Sequence, residues 1–491
     1  MAFTTQKNNR RGFSKLTDEY RSPEQKNNDL KILITGASGF IGSRLLKQLI
    51  KINIETSDNQ DAKYSIRCLT RNKKTFGSSD MDKKHESSKV EVIEGDLSNY
   101  DDCLNALKDV DIAYYLVHSM EGSSKNWKKF SEKEQKTAEN FANAADKRGV
   151  KRIIYLGGLT HAKESELSQH MLSRKQVGDI LRKSHAKVTI FRAAVILGSG
   201  GGSFEMLRYL VERLPVMICP KWVLTKCQPI FIDDVITYLF NSIEKPQTEG
   251  KTFDIGGPDI LTYFDMMKIY AKILDKSIRI LIIPFLTPRL SSYWVDLVTP
   301  IKASLARPLI DSLKHEAIVK DDSIKKVIPI ELKSFEDSLR YCINEEDKYA
   351  KKKDKSLIKK ERTSMSANYK ILLISLFLLL AIGTTYYFLE DRSQFLEPFW
   401  LFIAVIWYLL IFTSIYFVRF GARLGALIAG ILGWASLVFW LLDNFHMVSG
   451  YSIIAERPSN NEVWRDIVGI VIASFTVISS HNIFHKIRLH G

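Results

Sequence analysis

Lys31-Ile32-Leu33-Ile34-Thr35-Gly36-Ala37-Ser38-Gly39-Phe40-Ile41-Gly42-Ser43-Arg44-Leu45-Leu46 is the stretch that decides the fold of this chain. Its opening apolar run, ending at Thr35, reads as a buried strand, and the residues after Phe40 repeat apolar side chains at helical spacing. Between the two lies a glycine turn in which each glycine has its own task. Gly36 permits the tight turn, Gly39 lets a pyrophosphate approach the backbone, and Gly42 lets helix and strand pack closely. The helix N-terminus presents free N–H groups and a positive dipole end to that phosphate. Strand, glycine turn and helix in this order predict a dinucleotide-binding βα unit. Its candidate contacts are Gly36, Ser38, Gly39, Phe40, Ile41 and Gly42.

Outward from this unit, short apolar runs alternate with amphipathic segments. Strands are expected at about 32–35, 65–70, 90–93, 111–117, 152–156 and 188–191, and helices at 40–51, 100–108, 127–148 and 172–183. The polar stretch 72–89 reads as a surface insertion. Beyond Gly198 the alternation weakens into a helix at 204–213, a short strand at 229–232, a helix at 233–243, a strand at 252–255 and a helix at 263–274. The fold class expected is α/β, a doubly wound parallel Rossmann sheet with a small substrate lobe, followed by an all-α transmembrane bundle. The divisions are a polar basic tail (1–29), a Rossmann domain (30–200), a substrate lobe (201–343), a basic juxtamembrane linker (344–368) and a four-helix transmembrane region (369–485).

The last division rests on four apolar runs, 371–389, 398–418, 424–442 and 467–484, none of which holds Asp, Glu, Lys or Arg. Each approaches the ~20 residues that cross a hydrocarbon core. Much of the net charge of +15 collects beside them, in Lys348, Lys351, Lys352, Lys353, Lys355, Lys359, Lys360 and Arg362. Arg419, Arg423, Lys486 and Arg488 continue the pattern on alternate connections, so the positive-inside rule places the soluble domain and both termini in the cytoplasm. No basic motif is interleaved with aromatics, and the charge therefore points to a bilayer and away from nucleic acid. The five cysteines form no CxxC pair and no Cys/His cluster, which argues against a metal site and a disulfide framework. The first residues contain no apolar signal-peptide core.

TGASGFIG (35–42), Gly95-Asp96-Leu97, Tyr155-Leu156-Gly157-Gly158, Phe191-Arg192, PIFIDDV (229–235) and DIGGP (254–258) follow one another in an order that resembles the atypical short-chain dehydrogenase/reductases. The likeness is strongest to the NmrA-like NAD(P)-binding branch, which also contains the Rossmann accessory subunit of respiratory complex I. In that family the Asp of the Gly-Asp-Leu motif contacts adenine, a role the resemblance implies for Asp96, with Leu97 beside it. After the second strand stands Arg71, where NAD sites carry an acid, so NADP is favoured and NAD is the alternative. His118, ending the fourth strand, is expected to line the cofactor cleft.

The family's catalytic YxxxK is missing. Aligning Ser173-Arg174 with the family's Ser-Lys places His170 at the tyrosine position and Arg174 at the lysine position; sliding by one gives Met171 and Lys175. His170 and Arg174 lie one helical turn apart, and an imidazole suits proton transfer at neutral pH. They are the candidate catalytic pair, with Thr160 and His161 as weaker candidates of the same sort. The activity implied is an NADP-dependent oxidoreductase of unidentified substrate. The alternative is a non-catalytic NAD(P)-binding module or redox sensor with a protein partner. The stretch Ile280-Leu281-Ile282-Ile283-Pro284-Phe285-Leu286, followed by Tyr293-Trp294 among basic residues, has the composition either of the substrate lobe's own core or of an interfacial segment, and the second reading implies a lipophilic substrate or partner met at the membrane.

Overall fold

The structure is a computed structural model that describes residues 30–56, 63–76, 90–117, 127–214, 216–283, 292–293, 295–296, 299, 301, 303–352, 355–388, 398–419, 423–443 and 460–489. The tail 1–29, most of the 72–89 stretch, His118 and Trp294 lie outside them.

Seven parallel strands form the central sheet: β1 (Leu30–Thr35), β2 (Tyr64–Thr70), β3 (Val90–Glu94), β4 (Ile112–Tyr115), β5 (Arg152–Gly158), β6 (Lys187–Ala193) and β7 (Thr252–Ile255). Their spatial order is β7-β6-β5-β4-β1-β2-β3, so the chain reverses direction across the sheet between β1 and β4. β1, β4 and β5 are apolar almost throughout because both faces are covered. On one face α2 (Tyr100–Ala106), α3 (Trp127–Arg148) and α4 (Gln169–Leu181) close over a core that includes Leu33, Tyr115, Phe141, Ile153, Tyr155 and Leu181. On the other lie α1 (Gly42–Thr56) and, after α5 (Gly202–Arg213) in the chain, α6 (Ile232–Asn241), where the buried Tyr114 hydroxyl donates to the Leu239 carbonyl at 2.8 Å.

Among the element ends that differ from expectation, two have a local cause. β4 stops at Tyr115 because the Thr35 hydroxyl, which donates to the Tyr114 carbonyl (2.9 Å), also accepts the Leu116 amide (3.1 Å) and leads the chain out of the ladder. α4 begins at Gln169, ahead of the apolar spacing that marks it in the sequence, because Ser168 caps it by accepting the Met171 amide at 3.3 Å. Some of the basic residues serve the fold alone. Arg152, buried on β5, donates to Thr189 Oγ1, to the Ser242 carbonyl (2.6 Å) and to Thr248 Oγ1.

The chain divides into two compact units. The first joins Met1–Phe204, Lys221–Tyr270 and Pro308–Cys342 and contains the Rossmann sheet. The second joins Glu205–Pro220, Ala271–Arg307 and Ile343–Gly491. In it, Val216–Pro220 and Arg279–Ile283 pair as a two-stranded parallel ribbon that periodicity does not reveal. It also holds most of α9 (Phe335–Lys352), which follows α7 (Tyr263–Ile273) and α8 (Ala303–Ser312) in the chain, and the long helices α10 (Lys355–Phe388), α11 (Pro398–Arg419), α12 (Arg423–Asp443) and α13 (Asn460–Leu489). Four segments of these are long and apolar enough to cross a membrane: Asn368–Thr385, Leu401–Arg419, Leu424–Leu442 and Trp464–Phe484. The small-residue stripe of α12 packs its neighbours closely. A Cβ on Gly425 would run into the Val418 backbone, Ala429 is fully buried, and a Cβ on Gly433 would lie 2.9 Å from Val477.

Candidate functional site: a glycine turn at the sheet's switch point

The glycine turn sits where β1 and β4 part, the place at which open α/β sheets bind ligands beyond their strand ends. Gly36 has φ +70°, a left-handed conformation, and a Cβ there would lie 2.8 Å from the Leu116 carbonyl oxygen. Its own carbonyl accepts the Gly39 amide at 2.9 Å and closes the turn. A Cβ on Gly42 would fall onto that same carbonyl group, 2.8 Å from its carbon. Ser38 and Gly39 are exposed at the crest, whereas Phe40 and Ile41 are half-buried beneath them. Arg44, on the first turn of α1, braces the loop from behind: it donates to the carbonyls of Phe40 (3.1 Å) and Ser199 (2.7 Å) and stacks on the Phe40 ring. The exposed crest is a shape that a diphosphate fills and a side chain would block.

Arg71 and Asp96 follow β2 and β3 on the same edge. Arg71 is exposed. Asp96 accepts the Ser98 amide (2.8 Å), and this bond, with further help from Lys133 and Arg71, holds its carboxyl below the usual carboxylate range despite partial burial. Leu97 turns its side chain into the core, so only its backbone remains near the edge.

His170 and Arg174 occupy the first two turns of α4. His170 is buried, and Arg174 donates to the Leu156 carbonyl at 2.6 Å, tying α4 to β5. No described tyrosine near β4 and β5 replaces the missing acid: Tyr115 and Tyr155 are buried in the core, and burial raises both phenols. The structure adds a cluster whose partners are far apart in sequence. Gly157, Arg192 and Asp254 stand in register across β5, β6 and β7. Arg192 Nε and Nη2 contact Asp254 Oδ1 at 2.7 and 2.6 Å. Asp254 is 2% exposed, and its Oδ2 faces His161 Nε2 at 3.4 Å without a hydrogen bond. His161 Nε2 also lies 3.0 Å from the Ile318 carbonyl, which only accepts, so the proton sits on Nε2 and Nδ1 is the basic nitrogen.

Residues 28–297 match the NmrA-like family, more than half of the chain. The chain belongs to that family. This NmrA-like chain is 21% identical over 319 residues to subunit 9 of the NADH dehydrogenase [ubiquinone] 1 alpha subcomplex, mitochondrial, of Arabidopsis thaliana, covering 62% of this chain and 75% of that protein. It is 22% identical over 283 residues to the chloroplastic divinyl chlorophyllide a 8-vinyl-reductase of the same plant, of which it spans 64%. Among solved structures it resembles the Citrobacter sp. triphenylmethane reductase complexed with NADP(H) (17% identity, TM-score 0.49, 64% of this chain and 100% of that one). It also resembles an NADPH-dependent quinone oxidoreductase from Escherichia coli (19% identity, TM-score 0.48, 63% and 99%).

Proposed function

We propose that this NmrA-like chain is a membrane-anchored, NADP-dependent oxidoreductase acting on a lipophilic substrate from the cytoplasmic side of a bilayer. The observation that carries the reading is the exposed glycine crest at the switch point, followed on the same edge by Arg71. Exposed backbone at the start of α1 would receive the pyrophosphate, and Arg71 would hold the 2′-phosphate in charge-assisted hydrogen bonds. NADPH bound there supplies a hydride, and this chain supplies the accompanying proton. His170, one helical turn from the positive Arg174, is the donor under one of the two ways this helix aligns with the family's motif; His161, whose Nε2 lies 3.4 Å from Asp254 Oδ2, is its rival.

The test is NADPH oxidation by detergent-purified full-length protein across carbonyl, quinone and isoprenoid acceptors, with acceptor-dependent loss of NADPH absorbance expected. Absence of the tyrosine and the likeness to a complex I subunit favour a second reading, an NAD(P)-binding module that acts through a protein partner. Turnover with any acceptor excludes it, whereas nucleotide binding without turnover supports it. The orientation has its own test in intact cells: a cysteine probe at Ser459 should be labelled from outside and one at Ser356 should not.

A further inference from the structure

The ribbon of Val216–Pro220 and Arg279–Ile283 exposes an apolar face in the same compact unit as the four long apolar helices. Val216 is 49% exposed, Ile218 44% and Leu281 56%, whereas Met217 and Cys219 on the opposite face are buried. Leu281 pairs with Ile218 and Arg279 with Val216, so these side chains form one continuous patch. A soluble surface seldom groups large aliphatic side chains on an open two-stranded edge.

Its position follows from its neighbours. Three residues before Val216, Arg213 stacks on Tyr209 and interacts electrostatically with Tyr369. Tyr369 is the second residue of the first apolar segment, Asn368–Thr385. Three residues of chain reach no further than about 10 Å, which keeps the start of the ribbon close along the chain to a side chain that feels the start of that segment. Lys276 and Arg279 are exposed at the ribbon's edge, and Lys276 donates to the Glu212 carbonyl at 3.1 Å. Exposed aliphatic side chains with flanking cations and a nearby tyrosine are the composition of a lipid–water boundary.

We infer that the Val216–Pro220/Arg279–Ile283 ribbon rests in the bilayer's interfacial zone, with Val216, Ile218 and Leu281 among the upper acyl chains and Lys276 and Arg279 at the headgroups. The inference rests on the four helices spanning the membrane. It adds a second, shallow contact that fixes the height of this part of the chain above the bilayer, and it does not depend on the nucleotide or on turnover. The occupant is lipid.

The experiment uses full-length protein in nanodiscs, with bimane attached at Ile218→Cys, Leu281→Cys, Ile431→Cys in α12 and Lys108→Cys on the Rossmann unit, one at a time. The native cysteines are all buried. Quenching is compared between headgroup spin-labelled and chain-brominated phosphatidylcholine. The Ile218 and Leu281 probes should be quenched several-fold more than the Lys108 probe, most strongly by the headgroup label, while the Ile431 probe favours the deep bromines. Ribbon probes that behave like Lys108 while Ile431 is quenched overturn the inference and leave the spanning helices standing. An unquenched Ile431 probe removes the spanning reading and the inference together. Ribbon probes shielded equally in lipid and in detergent would assign the face to a second copy of the chain and overturn it as well.

Discussion

Replacing Gly42 with alanine tests the logic of the glycine turn. The added methyl would stand 2.8 Å from the Gly36 carbonyl carbon and 2.9 Å from the Ala37 Cα, both backbone atoms with no rotamer to escape into. Ordinary carbon contacts begin near 3.5 Å, so turn and helix must separate by roughly 1 Å. Overpacking of this kind costs about 1–3 kcal/mol. Alanine's helical preference offsets up to ~1 kcal/mol, and less at the first residue of α1, where the helix is only half constrained. A net loss of about 1–2 kcal/mol remains, or roughly 2–4 °C in Tm per kcal/mol for a domain of this size. The Gly36 carbonyl that moves also holds the Gly39 amide, so the crest opens and NADPH affinity should fall by about tenfold, worth ~1.4 kcal/mol. Gly39→Ala is the control: its methyl would meet only the Gly36 oxygen, at 3.2 Å, and otherwise points to solvent. That variant should keep its Tm and lose affinity alone. Thermal unfolding and calorimetric titration with NADPH read both quantities. A Gly42→Ala protein unchanged in both, or a Gly39→Ala protein as destabilised as Gly42→Ala, would refute the reasoning.

Further outcomes follow from the same geometry. Arg71→Ala should weaken NADPH by about 1.5–3 kcal/mol and leave NADH nearly unchanged; equal losses would remove Arg71 from cofactor choice. Once an acceptor is found, His170→Ala should cut kcat by ~10²-fold or more with cofactor affinity intact; a loss in His161→Gln instead would move the proton to the Asp254 cluster. Burial pushes the Glu346 carboxyl up to about 7 against the pull of Arg208. A raised folded pKa means that the native state binds this proton more tightly. Its stabilising contribution is therefore full below ~4.5, the ordinary carboxyl value, and is lost as pH rises through about 7. Denaturation of the full chain between pH 5 and pH 8 should show this fall, and Glu346→Gln should flatten it.

The sheet was legible because parallel strands buried on both faces appear as unbroken apolar runs, and β7 falls where the sequence puts it, at Thr252–Ile255. β5 runs on through Gly157 and Gly158 because glycines carry no apolar side chain to mark the continuation. The helix containing the first apolar run begins as early as Lys355, since Lys, Glu and Arg are good helix formers and let the basic flank join it. The ribbon was not legible. Val216–Pro220 is too short to set a period, and its partner strand, Arg279–Ile283, lies far along the chain. His161, Arg192 and Asp254 share no local motif either; only strand register brings them together, so the sequence favoured His170, whose spacing to Arg174 is local.

The crest at Gly36–Gly42 is proposed to hold a nicotinamide dinucleotide. Calorimetric titration of full-length, detergent-purified protein with NADPH and NADH tests it most directly, with Gly39→Val as the blocked control. Binding should be saturable, one-to-one and tighter for NADPH, and should disappear in Gly39→Val while the variant's unfolding transition stays in place. No binding of either nucleotide, or equal binding by wild type and Gly39→Val, would contradict it.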